Sequence, residues 1–319
     1  MLSLAAFRGS FQLKTGAAAF RSFSSTARIA NAASIENIKR IGVVGSGQMG
    51  LGIAYVAANV SRLPVVLMDI NKEQTDNGIK FMNKLLEKDV AKQKITAEHA
   101  QITRELVSTT NTLSSLNDVD FVIEAASENV NIKTAIFKDL DAICKPEAIL
   151  ATNTSSISIT KIAGATKKAD KVIGMHFMNP VPVMKLVEII PGLATGDDVL
   201  KTTVQLAKNM AKTTTVVQDI PGFVANRLLM PYINEAIMLL ESGVASAEDI
   251  DTTMKLGTNT PMGPLTLADF IGLDTCLAIQ KVLHENTGDS KYRPSVLLQK
   301  YVDAGWLGKK SGRGFYVYK

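Results

Sequence analysis

A glycine-rich segment between two apolar runs is the feature that most constrains the fold of this chain. Residues 45–50 (GSGQMG) directly follow residues 41–44, a short run rich in β-branched side chains that is typical of a buried parallel strand. Residues 51–58 favour a helix, and residues 63–69 predict a second strand. A strand, a glycine turn, a helix and a strand within about 30 residues form a βαβ unit.

The glycine spacing in this unit matches the fingerprint of a dinucleotide-binding fold, because the GxGxxG pattern follows a strand and opens a helix. Gly45 permits the tight turn, Gly47 lets backbone amides approach a pyrophosphate, and Gly50 lets the helix pack closely on the strand. A purely structural glycine turn is the alternative. The candidate cofactor contacts in this loop are Gly45, Gly47, Gln48, Met49 and Gly50.

A carboxylate indicates which dinucleotide the loop would take. Asp69 stands 19 residues after Gly50, at the end of the second predicted strand. There it can accept hydrogen bonds from the ribose hydroxyls and would repel a 2′-phosphate, which favours NAD over NADP. The alternatives are a surface aspartate without a ligand, and a phosphate partnered by the nearby Lys72.

Strand-like and helical segments alternate up to residue 219. This order predicts an α/β fold with a Rossmann-like, doubly wound and mostly parallel sheet. Beyond it the periodicity is helical, so we place an NAD-binding domain at residues 38–219 and an all-α domain, with the substrate cleft and a dimerisation surface, at residues 220–319. The apolar strand patterns after the βαβ unit lie at residues 121–125, 148–153, 172–177 and 184–190.

The charge distribution separates the first residues from the rest of the chain. Of the net charge of +5, four units come from residues 1–35, which contain no acid; the remainder holds 31 basic and 30 acidic residues. That balance argues against a basic nucleic-acid-binding surface in the folded part. A leader rich in Ser, Ala and Arg is typical of a mitochondrial transit peptide, so residues 1–30 predict a location in the mitochondrial matrix. A disordered basic tail is the alternative.

The composition argues against a membrane-spanning protein, a disulfide-stabilised protein and a zinc protein. No run of about 18 apolar residues exists, so the sequence predicts no transmembrane helix. The two cysteines cannot form a disulfide framework, and the three histidines have no clustered cysteine that would suit zinc. The sequence therefore predicts no metal site.

A histidine and a glutamate are placed symmetrically about a proline-rich turn. His176 ends one apolar strand and Glu188 lies inside the next, each six residues from Pro182. If these strands form an antiparallel hairpin, the two side chains face each other with Cβ atoms about 5 Å apart. A glutamate that orients a histidine and favours its protonated form makes it a good general base. The alternatives are a buried structural ion pair and an edge strand with a solvated glutamate.

Two polar segments lie where a ligand cleft is expected. Residues 153–156 (NTSS) follow a predicted strand, at the edge where doubly wound sheets bind ligands. Serine and threonine are also ordinary helix caps, which is the alternative there. Asn226 lies just beyond the predicted domain boundary, a common cleft position, and is otherwise a polar residue on a helix face.

Two stripes of side chains are compatible either with binding or with an ordinary structural role. Four lysines recur every four residues and form one ridge on a helix, which suits either an anionic ligand or a solvated face. An apolar stripe in the helical part suits either a dimer interface or core packing. The lysine ridge consists of Lys80, Lys84, Lys88 and Lys92, and the apolar stripe of Met230, Ile233, Ile237 and Leu240.

Longer motifs show a family resemblance. Over residues 38–319 the chain resembles the short-chain L-3-hydroxyacyl-CoA dehydrogenase family, in a pattern nearest to that of the 3-hydroxybutyryl-CoA dehydrogenases. Ser46 replaces the alanine that is usual at its place in the family. The matching segments include GSGQMGLGIA (45–54), NTSS (153–156), GMHFMNPVPVMKLVEII (174–190), PGFVANRLLMPYINEA (221–236) and GWLGKKSGRGFY (305–316).

The resemblance implies NAD-dependent oxidation of a short-chain (S)-3-hydroxyacyl-CoA to the 3-ketoacyl-CoA, and the reverse, in fatty-acid β-oxidation or butanoate metabolism. His176 would take the proton of the 3-hydroxyl group and Glu188 would orient it. Ser155 would donate a hydrogen bond to the substrate oxygen, and Asn179 and Asn226 would position the substrate. A homodimer is the expected assembly.

The resemblance also implies cofactor contacts outside the glycine loop. Glu128 and Lys133 match the pair that contacts the cofactor, and Asn153 the residue on the nicotinamide side. Within the lysine ridge, Lys84 and Lys88 are the candidate contacts for the CoA phosphates. Two other functions stay open: a 3-hydroxyisobutyrate-type dehydrogenase, which uses a catalytic lysine instead of the histidine, and an NAD-binding family member without activity.

Overall fold

The computed structural model of the protein describes residues 38–318. The predicted transit peptide, residues 1–30, lies outside the described residues. Within the described part, a large sheet with helices on both faces is followed by a helical segment, as the sequence predicts. No helix between residues 38 and 318 combines the length and the apolar character that a membrane span needs.

The sheet has eight strands in the order β3-β2-β1-β4-β5-β6-β7-β8. Every neighbouring pair is parallel except β6 and β7, which are antiparallel. The predicted mostly parallel, doubly wound sheet is therefore confirmed. The strands are β1 Ile41–Val44, β2 Val65–Met68, β3 Val107–Thr110, β4 Phe121–Glu124, β5 Ile149–Thr152, β6 Val172–Phe177, β7 Leu186–Pro191 and β8 Thr213–Val216.

The helices follow the order of the sequence. Six pack on the sheet or connect its strands, and five form the C-terminal segment. They are α1 Gln48–Asn59, α2 Lys72–Ala91, α3 Ala97–Glu105, α4 Val130–Ile143, α5 Ile159–Ala163, α6 Asp197–Asn209, α7 Ala225–Glu241, α8 Ala247–Gly257, α9 Pro264–Ile271, α10 Leu273–Thr287 and α11 Val296–Asp303.

Burial explains which strands the sequence pattern found. The central strands β1, β2, β4 and β5 are buried along their whole length, because helices cover both faces of the sheet, and their sequences are accordingly continuous apolar runs. The strands β3 and β8 occupy the two edges, are partly exposed and consist mainly of threonine, valine and serine. The apolar pattern does not predict them, since an edge strand has little apolar surface to bury.

The apolar stripe of helix α7 belongs to the core of the C-terminal segment. Met230, Ile233 and Ile237 are fully buried among α8, α9 and α10, and Leu240 packs against the same cluster. The interpretation of this stripe as a dimer interface is therefore wrong, because these side chains are already covered within one chain. Core packing, the alternative, is what the structure has.

Two glycines of the loop between β1 and α1 have different structural roles. A Cβ atom on Gly50 would lie 1.8 Å from the carbonyl oxygen of Gly45, so only glycine lets α1 start this close to the end of β1. A Cβ atom on Gly47 would meet nothing within 4 Å, and the residue has an ordinary φ of −63°. Packing therefore requires glycine at position 50, whereas Gly47 only leaves the backbone of the loop accessible.

We expect Gly50→Ala to destabilise the protein by about 1–3 kcal/mol or more, because the loop must move to admit the methyl group. Gly47→Ala is the matched control and should cost about 1 kcal/mol or less, the usual penalty for alanine at an N-cap. Urea unfolding midpoints measure both. Equal losses of stability would contradict the packing role of Gly50.

Candidate active site

The site is built around the antiparallel hairpin of β6 and β7. The register pairs His176 directly with Glu188, and His176 Nδ1 lies 2.8 Å from Glu188 Oε2. Both residues are buried, with 7% and 1% of their surface exposed. The hairpin geometry predicted from the symmetric spacing about Pro182 is thus confirmed, and the solvated-glutamate alternative is wrong.

The second oxygen of Glu188 connects the hairpin to the helical segment. Glu188 Oε1 accepts hydrogen bonds from the backbone N–H groups of Val224 at 3.1 Å and Ala225 at 3.0 Å, at the start of α7. Burial alone would raise the pKa of Glu188, but the hydrogen bonds from His176, Ala225 and Val224 outweigh it and hold this pKa below its usual range. The carboxylate is therefore ionised at neutral pH.

The imidazole of His176 is oriented by its two neighbours. Because Nδ1 faces a carboxylate, the hydrogen-bond network assigns the proton of the neutral ring to Nδ1. The ring of Phe223 packs against it, with centroids 5.9 Å apart and planes tilted by 56°. Nε2 makes no hydrogen bond to any group of residues 38–318, so it is the nitrogen that can exchange a proton with a ligand.

The carboxylate of Glu128 accepts several hydrogen bonds from the loop after β5. Its Oε1 accepts hydrogen bonds from Thr154 Oγ1 at 2.6 Å, from the Ser155 backbone N–H at 2.7 Å and from Ser155 Oγ at 3.1 Å. Burial would raise the pKa of Glu128, but the charge of Lys133 and these hydrogen bonds hold it below its usual range. The Ser155 carbonyl in turn accepts from Asn226 Nδ2 at 3.1 Å. The structure thus brings Glu128, Ser155 and Asn226 together.

A buried ion pair beneath this loop was not found from the sequence. Lys133 Nζ lies 2.8 Å and 3.0 Å from the two carboxylate oxygens of Glu124, and both side chains are essentially inaccessible to solvent. Thr152 Oγ1 and the Ala126 backbone N–H complete the shell of Glu124. The available signal is the acidic residue that ends the apolar run of β4, where an unpaired charge would be very costly.

This ion pair also qualifies the predicted role of Lys133. The ammonium group faces Glu124 and lies 3.4 Å from Glu128 Oε2. In this arrangement Lys133 supports Glu128 from inside the protein. Direct contact of Lys133 with a cofactor stays a prediction, as does that of Glu128.

The glycine loop and the end of β2 fit a dinucleotide. Gly45 has a φ of +97°, and a Cβ atom there would lie 2.6 Å from the Ala125 carbonyl oxygen. Gly47 and Gln48 are exposed at the start of α1, which leaves backbone amides open to an anion. Asp69 is held in place by the Ser46 backbone N–H and Oγ, at 2.8 Å and 2.9 Å from Oδ2. The serine that departs from the family pattern thus orients the carboxylate.

The remaining predicted residues are more scattered. Asn153 ties the ends of β5 and β6 together, because its Oδ1 accepts from the Phe177 backbone N–H at 2.8 Å. Asn179 is exposed in the connection after β6 and its side chain makes no hydrogen bond within residues 38–318. Lys84 and Lys88 are exposed on α2. Neither lysine contacts the side chain of His176 in the structure.

Comparison with known proteins decides the family. Residues 40–220 match the model of the 3-hydroxyacyl-CoA dehydrogenase NAD-binding domain, and residues 222–318 match the model of the 3-hydroxyacyl-CoA dehydrogenase C-terminal domain. The chain belongs to the 3-hydroxyacyl-CoA dehydrogenase family. This assigns NAD as the cofactor, as the position of Asp69 predicts.

Members of the family are similar to the chain over most of its length. A probable 3-hydroxybutyryl-CoA dehydrogenase of Bacillus subtilis (strain 168) is 55% identical over 88% of this chain and 98% of its own. The mitochondrial hydroxyacyl-coenzyme A dehydrogenase of Homo sapiens is 42% identical over 94% and 97%. The crystal structure of an (S)-3-hydroxybutyryl-CoA dehydrogenase from Ralstonia eutropha is similar with a TM-score of 0.85, 46% identity and 88% and 99% coverage.

The ionised state of Glu188 predicts an acid-dependent stability. Because its folded-state pKa lies below the ordinary value of 4.5, its contribution to stability is complete above that value and is lost as the pH falls through the folded-state pKa. We expect the difference in free energy of unfolding between the wild type and Glu188→Gln to be largest near neutral pH and to shrink below about pH 4.

The measurement is urea unfolding between pH 3 and pH 7. Glu87→Gln serves as the control, since Glu87 is exposed on α2 and should give no such trend. A difference for Glu188→Gln that stays constant across this range would show that the hydrogen bonds of the carboxylate do not depend on its charge.

Proposed function

We propose that this protein catalyses the NAD-dependent oxidation of short-chain (S)-3-hydroxyacyl-CoA, such as 3-hydroxybutyryl-CoA, to the 3-ketoacyl-CoA, and the reverse reaction. The observation that carries the proposal is the buried His176–Glu188 pair, whose free imidazole nitrogen lies at the junction of the NAD-binding and helical segments. The family membership and the names of the similar proteins support the same reaction.

The chemistry requires a base for one proton and an acceptor for one hydride. His176 Nε2 would take the proton of the 3-hydroxyl group, and Glu188 would stabilise the imidazolium that results. The glycine loop and Asp69 would hold NAD⁺, which when bound would supply the acceptor for the hydride of C3. Glu188 keeps its charge throughout, because its lone pairs are held by His176 and by the first amides of α7. In the reverse direction the imidazolium returns the proton to the carbonyl oxygen.

Three further residues would position the substrate. In the structure the single O–H of Ser155 is donated to Glu128 Oε1 at 3.1 Å, and it would turn from there to donate to the oxygen on C3 of the substrate. Asn226, which already binds the Ser155 backbone, and Asn179 would contact the rest of the substrate and its thioester. The 3-hydroxyisobutyrate-type alternative is disfavoured, since the hairpin presents a histidine with a glutamate instead of a lysine.

We expect the wild type to reduce acetoacetyl-CoA with NADH, followed as the loss of NADH absorbance. His176→Gln should lower kcat by roughly 10² to 10⁴, because it removes the proton-transfer group. Folding and NADH binding should be nearly unchanged, and His284→Gln, on α10, is the control. Failure of the wild type to turn over would favour an NAD-binding protein without activity; full activity of His176→Gln would remove His176 from the mechanism.

The lysine ridge is our proposed contact for the CoA phosphates. The four lysines are exposed along one face of α2 and its C-cap, and none forms an ion pair with a carboxylate of residues 38–318. Like charges at this spacing repel one another by a few tenths of a kcal/mol per pair, which an anionic ligand would offset.

Reversing the charge of the ridge tests this proposal. We expect Lys84→Glu and Lys88→Glu to raise the KM for acetoacetyl-CoA and to leave the KM for NADH nearly unchanged. Lys255→Glu, on α8, is a matched control for net charge. Equal effects on both KM values, or no effect, would make the ridge an ordinary solvated face.

We also propose that the protein acts in the mitochondrial matrix as a homodimer. Support for the location comes from the acid-free leader and from the mitochondrial relative, although other relatives are bacterial.

Support for a dimer comes from large exposed apolar side chains in the helical segment, namely Leu239, Val244, Leu256 and Phe270. N-terminal sequencing of the mature protein and sedimentation equilibrium measure the two properties.

A further inference from the structure

A buried lysine without a carboxylate partner lies beside the catalytic hairpin. Lys212 stands between α6 and β8, and only 8% of its surface is exposed. Its Nζ donates hydrogen bonds to the carbonyl oxygens of Val181 and Met184, the latter at 2.8 Å. Burial lowers the pKa of Lys212, and no carboxylate of residues 38–318 counters this effect. The two hydrogen bonds to backbone carbonyls are therefore the contacts that compensate for burying this ammonium group.

Those contacts hold the connection between the two strands of the site. Residues 178–185 join β6, which carries His176, to β7, which carries Glu188. The turn within them is closed by the backbone N–H groups of Val183 and Met184, which donate to the Pro180 carbonyl at 3.0 Å and 2.9 Å. We name residues 178–185 the hairpin connection.

The other side of the hairpin connection rests on the dinucleotide-binding helix. Val181 is buried against α1, where a Cβ atom on Gly52 would lie 2.8 Å from the Cβ atom of Val181. Lys212 therefore fastens the connection from the edge of the sheet while α1 supports it from the other side. Asn179 lies in the same connection, two residues before Val181.

The choice of lysine has a physical reason. A buried carbonyl oxygen that loses its hydrogen bond costs free energy. The Val181 oxygen is buried, and the oxygen of the more exposed Met184 approaches the same ammonium group. An ammonium group has three donors and satisfies both oxygens from one side chain. An apolar residue of similar length would avoid the desolvation of a charge but would leave the buried Val181 carbonyl unpaired and remove the protein donor of the Met184 carbonyl.

We propose that Lys212 is a positioning residue for the reaction, which acts by fixing the hairpin connection and hence the placement of substrate against His176. The proposal rests on the proposed function, because its kinetic readout uses that substrate. Lys212 itself touches no reacting group. Its loss should therefore affect the use of acyl-CoA and leave NADH binding, which depends on the glycine loop and Asp69, close to that of the wild type.

The experiment compares two lysines that make the same kind of contact. Lys168 Nζ donates to the carbonyl oxygens of Lys145, at 2.9 Å, and Cys144, in the segment before β5. Lys168 itself precedes β6, at the end of that strand opposite the hairpin connection. We expect Lys212→Met to lower kcat/KM for acetoacetyl-CoA by about tenfold to a hundredfold, the size of effect that a small misplacement of substrate produces. Lys168→Met should stay near the wild type, and Lys212→Arg, which keeps a cation and its donors, should recover part of the loss.

Hydrogen exchange of the hairpin connection gives a readout that does not need activity. The amides of Val183 and Met184 should exchange faster in Lys212→Met than in the wild type, and should not change in Lys168→Met. NADH titration followed by fluorescence gives the cofactor affinity of each variant. All assays are run below the measured unfolding transitions, and Lys212→Gln, which can still donate to one carbonyl, replaces Lys212→Met if the latter does not fold.

The results separate the possible outcomes. Faster exchange together with a lower kcat/KM and unchanged NADH affinity supports the positioning role. Unchanged exchange, unchanged kcat/KM, or an equal loss in Lys168→Met overturns it. If the wild type does not reduce acetoacetyl-CoA, the proposed function fails. In that case faster exchange in Lys212→Met would still show that Lys212 fixes the hairpin connection, and unchanged exchange would show that it does not.

Discussion

The structure depends most on one buried carboxylate, that of Glu188. An ion in the interior of a protein is tolerated only when its lone pairs are occupied by strong donors. Glu188 meets this condition with His176 on one oxygen and the first amides of α7 on the other. Because one of these partners belongs to the sheet and the other to the helical segment, the same carboxylate orients the histidine and links the two segments.

The same solution is repeated at the carboxyl end of β4, which β5 separates from β6 in the sheet. Glu124 and Glu128 lie at and just beyond the carboxyl end of β4, and Lys133 lies between them. Glu124 is fully satisfied in the interior, whereas Glu128 reaches the loop that carries Ser155. Ser155 is thus held by a charged partner, Glu128, which is itself paired with the buried ammonium group of Lys133.

The sequence predicts the central strands of the sheet and does not predict its two edge strands. Continuous apolar runs identified β1, β2, β4, β5 and β6 because those strands are covered on both faces. The edge strands β3 and β8 have mostly polar side chains and were not predicted. The apolar stripe of α7 could not be assigned from its pattern, since a buried core and an interface between chains require the same side chains.

The sequence by itself determined the features that depend on local geometry. The glycine loop, the acidic residue after β2 and the pairing of His176 with Glu188 all follow from spacing along one or two adjacent elements. Only the tertiary structure decided what completes the site: the amides that hold Glu188, the lysine that neutralises Glu124 and the two carbonyls that hold Lys212. The physical reason is that backbone N–H and C=O groups are common to nearly every residue, so no side-chain pattern marks the ones that a buried charge will meet.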